Sequence, residues 1–507
     1  MKRTSRVLSG TLASVLQMLV AIALQIMLMP RILATAGPAT AGAYAILMQM
    51  VGYLALADLG VSTALGRSLS QATQDRRRFD ELLSGGLVML LGLGLVYALL
   101  AVGLAFAQQP LFHFPEPLAQ EARNAMLLLG AWGLIRFPLS VFPTALVASQ
   151  DLTWPPVVGL AANVLRMVFA LYAVGAGWGL VGLSAANILA EVILAVVLTG
   201  RFLRRQRAWS FTRRGLAWPS LKPQIDFGLR AFWGNLAGRV ILSSDNLVVG
   251  GLYGPAVTSV YYNTQTPVSM GYNLLFRLAD NAAPGINELW SQGAWQTLRD
   301  VFLRLQRLTL LLAAPVVIGG WFYLGRVVTI WVGARQYGGP WLTLWLVLFA
   351  GLVTVGYVPQ VFVYAGGDIR RFSQLIALEA VANLALSILL GAWLGLPGVA
   401  LATTLTHIPM VFYVQRRVHR DLGIGWREWA NRALRPAVLA SAPTLIAAAL
   451  LSRLAPPQSW LGLAAHGGAL GLVHLLSSYA FGLAGPDRAA IAALLKRRPA
   501  SPTETRP

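Results

Sequence analysis

The chain of 507 residues has no cysteine and few charged residues. The absence of thiols excludes disulfide scaffolds, thiol catalysis and cysteine-bound metals. Only 12% of the residues are Asp, Glu, Lys or Arg, roughly half the fraction of an average soluble domain, whereas 56% are hydrophobic. This balance is typical of a protein that crosses a membrane many times.

Polar interruptions are also scarce, and long apolar runs fill most of the chain. A bilayer-spanning helix needs roughly 20 mostly apolar residues. Helices are expected because an open strand in lipid would leave its backbone groups unpaired. We therefore predict an all-α polytopic membrane protein with 14 transmembrane helices: 9–30, 41–66, 83–107, 122–148, 154–175, 180–200, 226–252, 257–288, 301–325, 339–365, 373–393, 397–415, 436–452 and 459–484.

Acidic residues are rare, 19 against 40 lysines and arginines, and the basic residues are unevenly distributed. Counting the edges of the spans with the adjoining loops, thirty of the 40 fall in alternate loops and the two termini, five in the opposite loops and five deeper within the spans. Because loops rich in Lys and Arg stay in the cytoplasm, this split predicts a membrane protein with both termini cytoplasmic. The net charge of +21 then reflects topology, and we expect no nucleic-acid partner.

The two halves of the chain repeat each other. GPATAGAY at 37–44 recurs as GPAVTSVY at 254–261, LAD at 56–58 as LAD at 278–280, and GLVG at 179–182 as GLPG at 395–398. These matches occur in order, at offsets of 217, 222 and 216. An even number of spans in each repeat gives both the same orientation, an arrangement typical of transporters built from parallel repeats.

The duplication predicts two pseudo-symmetric six-helix lobes around a central cavity. The predicted parts are an N-terminal lobe, a basic cytoplasmic linker typical of a lipid-headgroup-binding segment, a C-terminal lobe, two extra C-terminal helices and a cytoplasmic tail. Their bounds are 1–200, 201–225, 226–420, 421–484 and 485–507.

Ionisable residues within the spans are the candidate functional residues, because each costs roughly 2.5–3.5 kcal/mol at the bilayer centre and tends to face a cavity or a partner. Arginine forks bind phosphate oxygens and amides bind hydroxyl groups, so a cavity lined by both suits a phosphorylated sugar. The candidate substrate-binding residues are Arg136, Arg166, Arg239, Arg277, Asn235 and Asn273. The carboxylates Asp58, Asp245 and Asp280 are candidates for ion coupling, although Arg277 and Asp280, at i and i+3, can also pair with each other.

Catalytic motifs are missing from the sequence. We find no G-x-x-x-x-G-K-[ST], H-E-x-x-H or G-x-S-x-G, and the five histidines have no metal-ligand spacing. We therefore expect no enzyme, no cofactor and no metal site.

The motif at 37–44, followed by ADLGVSTAL at 57–65 and SDN at 244–246, resembles the polysaccharide-transporter (O-antigen flippase, Wzx-like) branch of the multidrug/oligosaccharidyl-lipid/polysaccharide exporter superfamily. The resemblance implies a flippase that moves an undecaprenyl-pyrophosphate-linked oligosaccharide to the periplasmic leaflet, by rocking of two lobes, for O-antigen, capsule or exopolysaccharide assembly. It implies membrane lipids, H⁺ or Na⁺ as coupling ion, and a polysaccharide polymerase as candidate partners.

Three other functions remain open at this point. A multidrug or cation antiporter of the same superfamily would need unpaired carboxylates rather than arginines. A lipid II flippase would resemble this chain in its 14 helices but would need an arginine cluster in the first two spans. A membrane-embedded glycosyltransferase, such as an O-antigen polymerase, would need catalytic groups in a sizeable periplasmic loop, and the predicted loop at 108–121 offers only His113, Glu116 and Glu121.

Overall fold

The structure, a computed structural model, describes residues 2–151, 153–205, 209–367, 370–483, 485 and 487–488, without side-chain detail at 2–19, 21, 230, 231, 233–235 and 237. These residues are almost all helical and include no strand. The helices are α1 (Lys2–Leu54), α2 (Val61–Gln71), α3 (Arg76–Phe112), α4 (Glu116–Leu139), α5 (Val141–Ala148), α6 (Trp154–Gly175), α7 (Gly179–Arg205), α8 (Trp218–Ser243), α9 (Asp245–Tyr253), α10 (Pro255–Ser291), α11 (Trp295–Val332), α12 (Pro340–Ala365), α13 (Arg370–Leu394), α14 (Leu396–Asp421), α15 (Trp426–Trp429), α16 (Arg435–Leu454) and α17 (Trp460–Ser477).

Within these residues, eleven helical segments are long and apolar enough to cross a membrane. They are Ile22–Asp58, Arg76–Phe112, Glu116–Ala148, Trp154–Gly175, Gly179–Arg205, Trp295–Val332, Pro340–Ala365, Arg370–Leu394, Leu396–Asp421, Trp426–Leu454 and Trp460–Gly482. The predicted spans 226–252 and 257–288 fall on α8–α10, which are outside this set: α9 has 9 residues, and charged and polar side chains interrupt the apolar runs of α8 and α10. The multi-pass all-α fold is confirmed, whereas the number 14 stays a prediction.

The duplicated Gly-Pro motif has the same backbone conformation in both copies. Gly37 (φ 80°, ψ 175°) and Gly254 (φ 77°, ψ 179°) each interrupt the helical path just before a proline. Glycine adopts positive φ without the penalty that a Cβ atom brings, and proline is well suited to the first turn of the helix that follows. The motif therefore encodes the end of one helix and the start of the next.

The two copies of the motif also contact each other. A Cβ atom on Gly42 of α1 would overlap the carbonyl oxygen of Pro255 and lie 3.0 Å from the backbone nitrogen of Ser259 at the start of α10. Glycine at position 42 thus allows the two helix backbones to approach each other directly.

The chain forms two compact units. The first comprises Met1–Thr264, Trp331–Gly338 and Ser373–Thr403, and the second comprises Gln265–Ile330, Gly339–Phe372 and Thr404–Pro507. These bounds group the chain differently from the predicted lobes, whose limits stay a prediction.

The core of the first unit is large and contains several pairs of packed aromatic rings. Tyr97 of α3 lies over Gly133 of α4, where a Cβ atom would overlap its ring, and contacts Phe137 at 5.2 Å between ring centroids. Phe142 of α5 packs on Phe202 near the end of α7, with 5.3 Å between ring centroids. These buried rings hold α3, α4, α5 and α7 in register, and α4 carries the candidate residue Arg136.

The connection between α7 and α8 is shorter than the predicted linker at 201–225. Its described part, from residue 209, ends in a 3-10 turn at Arg213–Leu216 that packs on α3. The Thr212 amide donates to the hydroxyl of Ser84 at 3.0 Å, and a Cβ atom on Gly215 would lie 3.0 Å from the Gly85 nitrogen. This end of the linker is therefore fixed to the first unit.

In the second unit the two C-terminal helices pack on α11. Leu311 contacts Ala437 and Ala440 of α16 in a small buried cluster. The ring of His474, on α17, has Nε2 2.8 Å from the Leu311 carbonyl oxygen and Nδ1 3.0 Å from the Thr444 hydroxyl. A carbonyl oxygen can only accept, so Nε2 carries the proton and Nδ1 accepts from the threonine. The predicted appendage is therefore held to α11 by buried polar contacts as well as by apolar packing.

Candidate functional site

Arg239 of α8 is a half-buried arginine without a carboxylate partner among the described residues. Its guanidinium lies against Gly52 of α1, where a Cβ atom would overlap Nη2, and its Cζ is 6.0 Å from the centre of the Tyr53 ring. Its Nε is buried and has no hydrogen-bond partner in this part of the chain. A desolvated guanidinium with free donors is the arrangement expected of an anion-binding group.

Asp245 begins α9 and is 3% exposed. One carboxylate oxygen accepts the Tyr261 hydroxyl at 2.6 Å, and the other accepts the Thr403 hydroxyl at 3.0 Å. The Asn383 amide donates to the same threonine oxygen at 2.9 Å. Within the described residues no basic side chain pairs with Asp245, so a buried negative charge is held by hydroxyl groups alone and a cation or a proton would stabilise it.

Tyr53 of α1 contacts the helix that carries Arg239. Its hydroxyl donates to the backbone carbonyl oxygen of Arg239 at 3.2 Å, and its ring lies 6.0 Å from the Arg239 Cζ. A displacement of α1 at Tyr53 would therefore reach the arginine.

Arg166 of α6 donates to the amide oxygen of Asn187 on α7 at 3.3 Å. Asn187 in turn lies 3.5 Å from the hydroxyl of Tyr44 on α1. Tyr44 and Asn187 correspond by the repeat to Tyr261 and Thr403, at offsets of 217 and 216. The two halves therefore build related polar networks, one around a cation at Arg166 and the other around an anion at Asp245.

Arg136 is paired across helices. Its Nε lies 3.3 Å from the carboxylate of Glu191 on α7, and Trp132 donates to the same carboxylate oxygen at 2.6 Å. The sequence places no acid within one turn of Arg136 on its own helix, and only the packing of α4 against α7 reveals this partner. The pair satisfies the arginine charge without any ligand.

Asp58 has a local structural role. Its carboxylate accepts the backbone amide of Ser62 at 3.2 Å and the Ser62 hydroxyl at 2.9 Å. Ser62 lies in the first turn of α2, after Leu59 and Gly60 with positive φ values of 48° and 73°. Asp58 thus satisfies an amide that the start of the helix leaves unpaired.

Three further candidates lie on an exposed face of α10 in the second unit. Asp280 accepts the Tyr357 hydroxyl at 2.7 Å and has Arg277 3.9 Å away, so the i, i+3 pair is present. The Tyr357 ring stacks on Phe276 with 3.8 Å between ring centroids. Asn273 is exposed and donates to the backbone carbonyl of Ser269, one turn earlier. This face therefore presents both amide and guanidinium groups.

The seventh predicted span, 226–252, carries Asn235, Arg239 and Asp245. The side chain of Asn235 lies outside the described part of the structure. The span consists of two helices, α8 and α9, that meet at Ser244, and Asn246 on α9 is buried. Ser244 keeps helical backbone angles, φ −78° and ψ −25°, so the helical path continues through the junction.

Glu121, in the predicted loop at 108–121, has a structural role. Glu121 accepts the backbone amide of Leu180 at 3.1 Å, at the start of α7. A Cβ atom on Gly179 (φ 52°) would overlap this carboxylate. Glu121 therefore caps α7, a contact that joins positions 59 residues apart and that the sequence alone does not reveal.

Comparison with known proteins identifies the family of this chain. A model of the family described as polysaccharide biosynthesis protein matches residues 28–338, more than half of the chain. The chain belongs to this family. The uncharacterized membrane protein EpsK of Bacillus subtilis (strain 168) is 22% identical over 406 residues, which covers 78% of this chain and 79% of EpsK. The predicted resemblance to polysaccharide transporters is confirmed.

Solved structures extend the comparison to the fold. The lipid II flippase MurJ in its inward closed conformation has a TM-score of 0.71, with 14% identity, 93% of this chain covered and 98% of MurJ. An inward-facing multidrug resistance MATE family transporter of the MOP superfamily has a TM-score of 0.68, with 15% identity, 81% of this chain covered and 99% of the transporter. The family member described here therefore has the two-lobe fold of that superfamily, and neither the family nor these structures point to an enzyme.

Proposed function

We propose that the protein is a flippase that carries a polyprenyl-pyrophosphate-linked oligosaccharide across the bacterial inner membrane by alternating access of its two lobes. The single observation that carries this proposal is Arg239, a half-buried guanidinium with unused donors and no carboxylate partner among the described residues. A pyrophosphate group supplies the oxygens and the negative charge that such a site lacks.

Arg166 is the second proposed headgroup ligand, because the neutral Asn187 is the only hydrogen-bond partner of its guanidinium among the described residues. Arg277, Asn273 and Asn235 complete the proposed substrate-binding set, with the amides as hydrogen-bonding partners for sugar hydroxyls. We assign Arg136 a structural role instead, since Glu191 neutralises it.

We infer that Asp245 is the coupling carboxylate, with H⁺ or Na⁺ as the ion. It is buried without a basic partner among the described residues, whereas Asp58 caps α2 and Asp280 lies beside Arg277. The hydroxyl oxygens of Tyr261 and Thr403 are suitable additional ligands for a hard cation. Binding of the ion would remove the cost of a buried charge.

The native bacterium offers a direct test. Deletion of the gene should reduce surface polysaccharide and cause the lipid-linked precursor to accumulate, and a plasmid copy should restore both. Arg239→Ala should fail to restore them at normal membrane abundance. Because losing a hydrogen bond to a charged group costs about 1.5–3 kcal/mol, headgroup affinity should fall about tenfold or more.

The MATE-like fold makes drug efflux the alternative to measure. An antiporter predicts greater drug sensitivity in the deletion strain and unchanged polysaccharide. That result would overturn the flippase proposal and leave Asp245 as the drug-coupling or ion-coupling group.

A further inference from the structure

A groove of about 660 Å³ lies at the carboxyl-terminal end of α7, beside the start of α6. It is separate from Arg239, Asp245 and Arg166. Its lining combines apolar and basic side chains: Trp154, Val196, Val197, Gly200, Arg201, Arg204 and Arg205.

The apolar part of the groove faces outward. Val196 is 62% exposed, Trp154 42% and Val197 40%, on helices that are long and apolar enough to span a membrane. Gly200 leaves the floor open, since a Cβ atom there would meet no atom within 4 Å. A wall of this kind lies against lipid chains, and the tryptophan is at the kind of position where aromatic rings meet the membrane interface.

The arginines of the groove are held in place, but their positive charge is only partly neutralised. Arg201 Nε and Arg205 Nη1 both lie 2.8 Å from the same carboxylate oxygen of Asp151, and the Arg201 guanidinium lies 4.5 Å from the centre of the Trp154 ring. Three arginines against one aspartate leave a net charge of +2. Arg204 has no ion-pair partner among the described residues.

We propose that this groove binds an anionic phospholipid, with its phosphate held by Arg204 beside Arg201 and Arg205 and one acyl chain along Val196, Val197 and Trp154. The charge of the basic end selects an anion, and the apolar wall selects a lipid rather than a soluble phosphate. The site lies at the end of α7 that the basic loops predict to be cytoplasmic, where bacterial leaflets carry negatively charged lipids.

Native mass spectrometry of the full chain in detergent can measure this binding. We expect phosphatidylglycerol to be retained about 25-fold better than phosphatidylcholine, because each of the two net positive charges near an anionic headgroup contributes about 1 kcal/mol, or about fivefold in affinity. Arg204→Gln should reduce the preference about fivefold while leaving both Asp151 contacts intact. Gly200→Leu should fill the groove and reduce binding of both lipids.

Gly103→Leu is the matched control. Gly103 is an exposed helical glycine of α3, and a Cβ atom there also meets nothing within 4 Å. This variant should bind both lipids like the wild type. All variants should melt at the wild-type temperature in lipid-free detergent, which separates loss of the groove from loss of the fold.

Three results would overturn the proposal. Equal retention of the two phospholipids would remove the role of the arginines. Unchanged binding in Gly200→Leu would place the lipid elsewhere. Displacement of phosphatidylglycerol by an equimolar polyprenyl pyrophosphate would assign the groove to that headgroup instead.

Discussion

The guanidinium of Arg239 lies directly over the backbone of Gly52, where no other residue leaves room for it. Tyr53, the next residue of α1, holds the helix of Arg239 through its backbone carbonyl. The position of this arginine therefore depends on α1 as much as on its own helix.

Gly52→Ala should impair transport without unfolding the protein. The added methyl group overlaps Nη2, the far end of a flexible side chain, so the guanidinium moves aside while the backbones stay in place. Surface polysaccharide should fall and membrane abundance should remain normal. Gly92→Ala, at an open position of α3, is the control and should be silent.

A double-mutant cycle shows whether Gly52 acts through Arg239. In an Arg239→Ala background, Gly52→Ala should have no additional effect on transport, because the group that it displaces is already gone. Independent, additive losses would contradict the role that we give to this contact.

Asp245→Asn should uncouple transport from the ion gradient. Asparagine keeps the size and an acceptor oxygen for Thr403, so the variant should reach the membrane, but it cannot release a proton or balance a cation. Tyr261→Phe removes only the hydroxyl that donates to the carboxylate and should weaken coupling less. Flipping in membrane vesicles under imposed Na⁺ or H⁺ gradients measures both, and gradient-dependent flipping in Asp245→Asn would contradict the assignment.

Arg136→Leu should lower membrane abundance rather than substrate affinity. It leaves the Glu191 carboxylate, a group 39% exposed, without its cation. Replacing both residues with leucine removes the unpaired charge and should restore much of the abundance. If abundance is normal in the single variant while transport is lost, Arg136 belongs to the substrate site after all.

Some of the structural features behind these predictions can be predicted from the sequence, and others cannot. The apolar runs fix where the helices lie, and the repeated Gly-Pro motif marks two helix breaks that the structure contains at Gly37 and Gly254. Both are local signals, set by hydropathy and by glycine conformation. The capping role of Asp58 was not predicted, because the sequence placed this residue inside a continuous span, 41–66, and made it a candidate for ion coupling.

The pairing of Arg277 with Asp280 on one helix was visible in the sequence, but charged partners on different helices were not. Glu191 neutralises Arg136 and Glu121 caps α7 through contacts between helices. Such contacts depend on the rotation and height of one helix against another, and a single sequence contains no record of either. For that reason Arg136, Arg166 and Arg239 were equivalent candidates in the sequence, whereas the structure separates the paired Arg136 from Arg239.

His474→Leu should loosen the two C-terminal helices. It removes the donor to the Leu311 carbonyl and leaves the buried Thr444 hydroxyl without its acceptor, at a cost of about 1–3 kcal/mol. Thr444→Val should cost less, because it removes a single hydrogen bond. The melting temperature of the detergent-purified protein measures both, and an unchanged value for His474→Leu would mean that apolar packing alone holds these helices.

Gly42→Val should keep the two copies of the repeated motif apart. Its side chain would overlap the Pro255 carbonyl oxygen, which belongs to helix backbone and cannot move aside as a flexible side chain can. The basic loops predict that this end of the helices is periplasmic. If alternating access requires this end to close, transport should be lost at normal membrane abundance.

Because the chain has no cysteine, a single Ser259→Cys reports the state of this contact. Ser259 is 1% exposed in the closed arrangement, so a membrane-impermeant thiol reagent should label the cysteine faster when Gly42→Val is also present. Slow labelling together with normal transport would show that the close approach of Gly42 and Pro255 plays no part in the cycle.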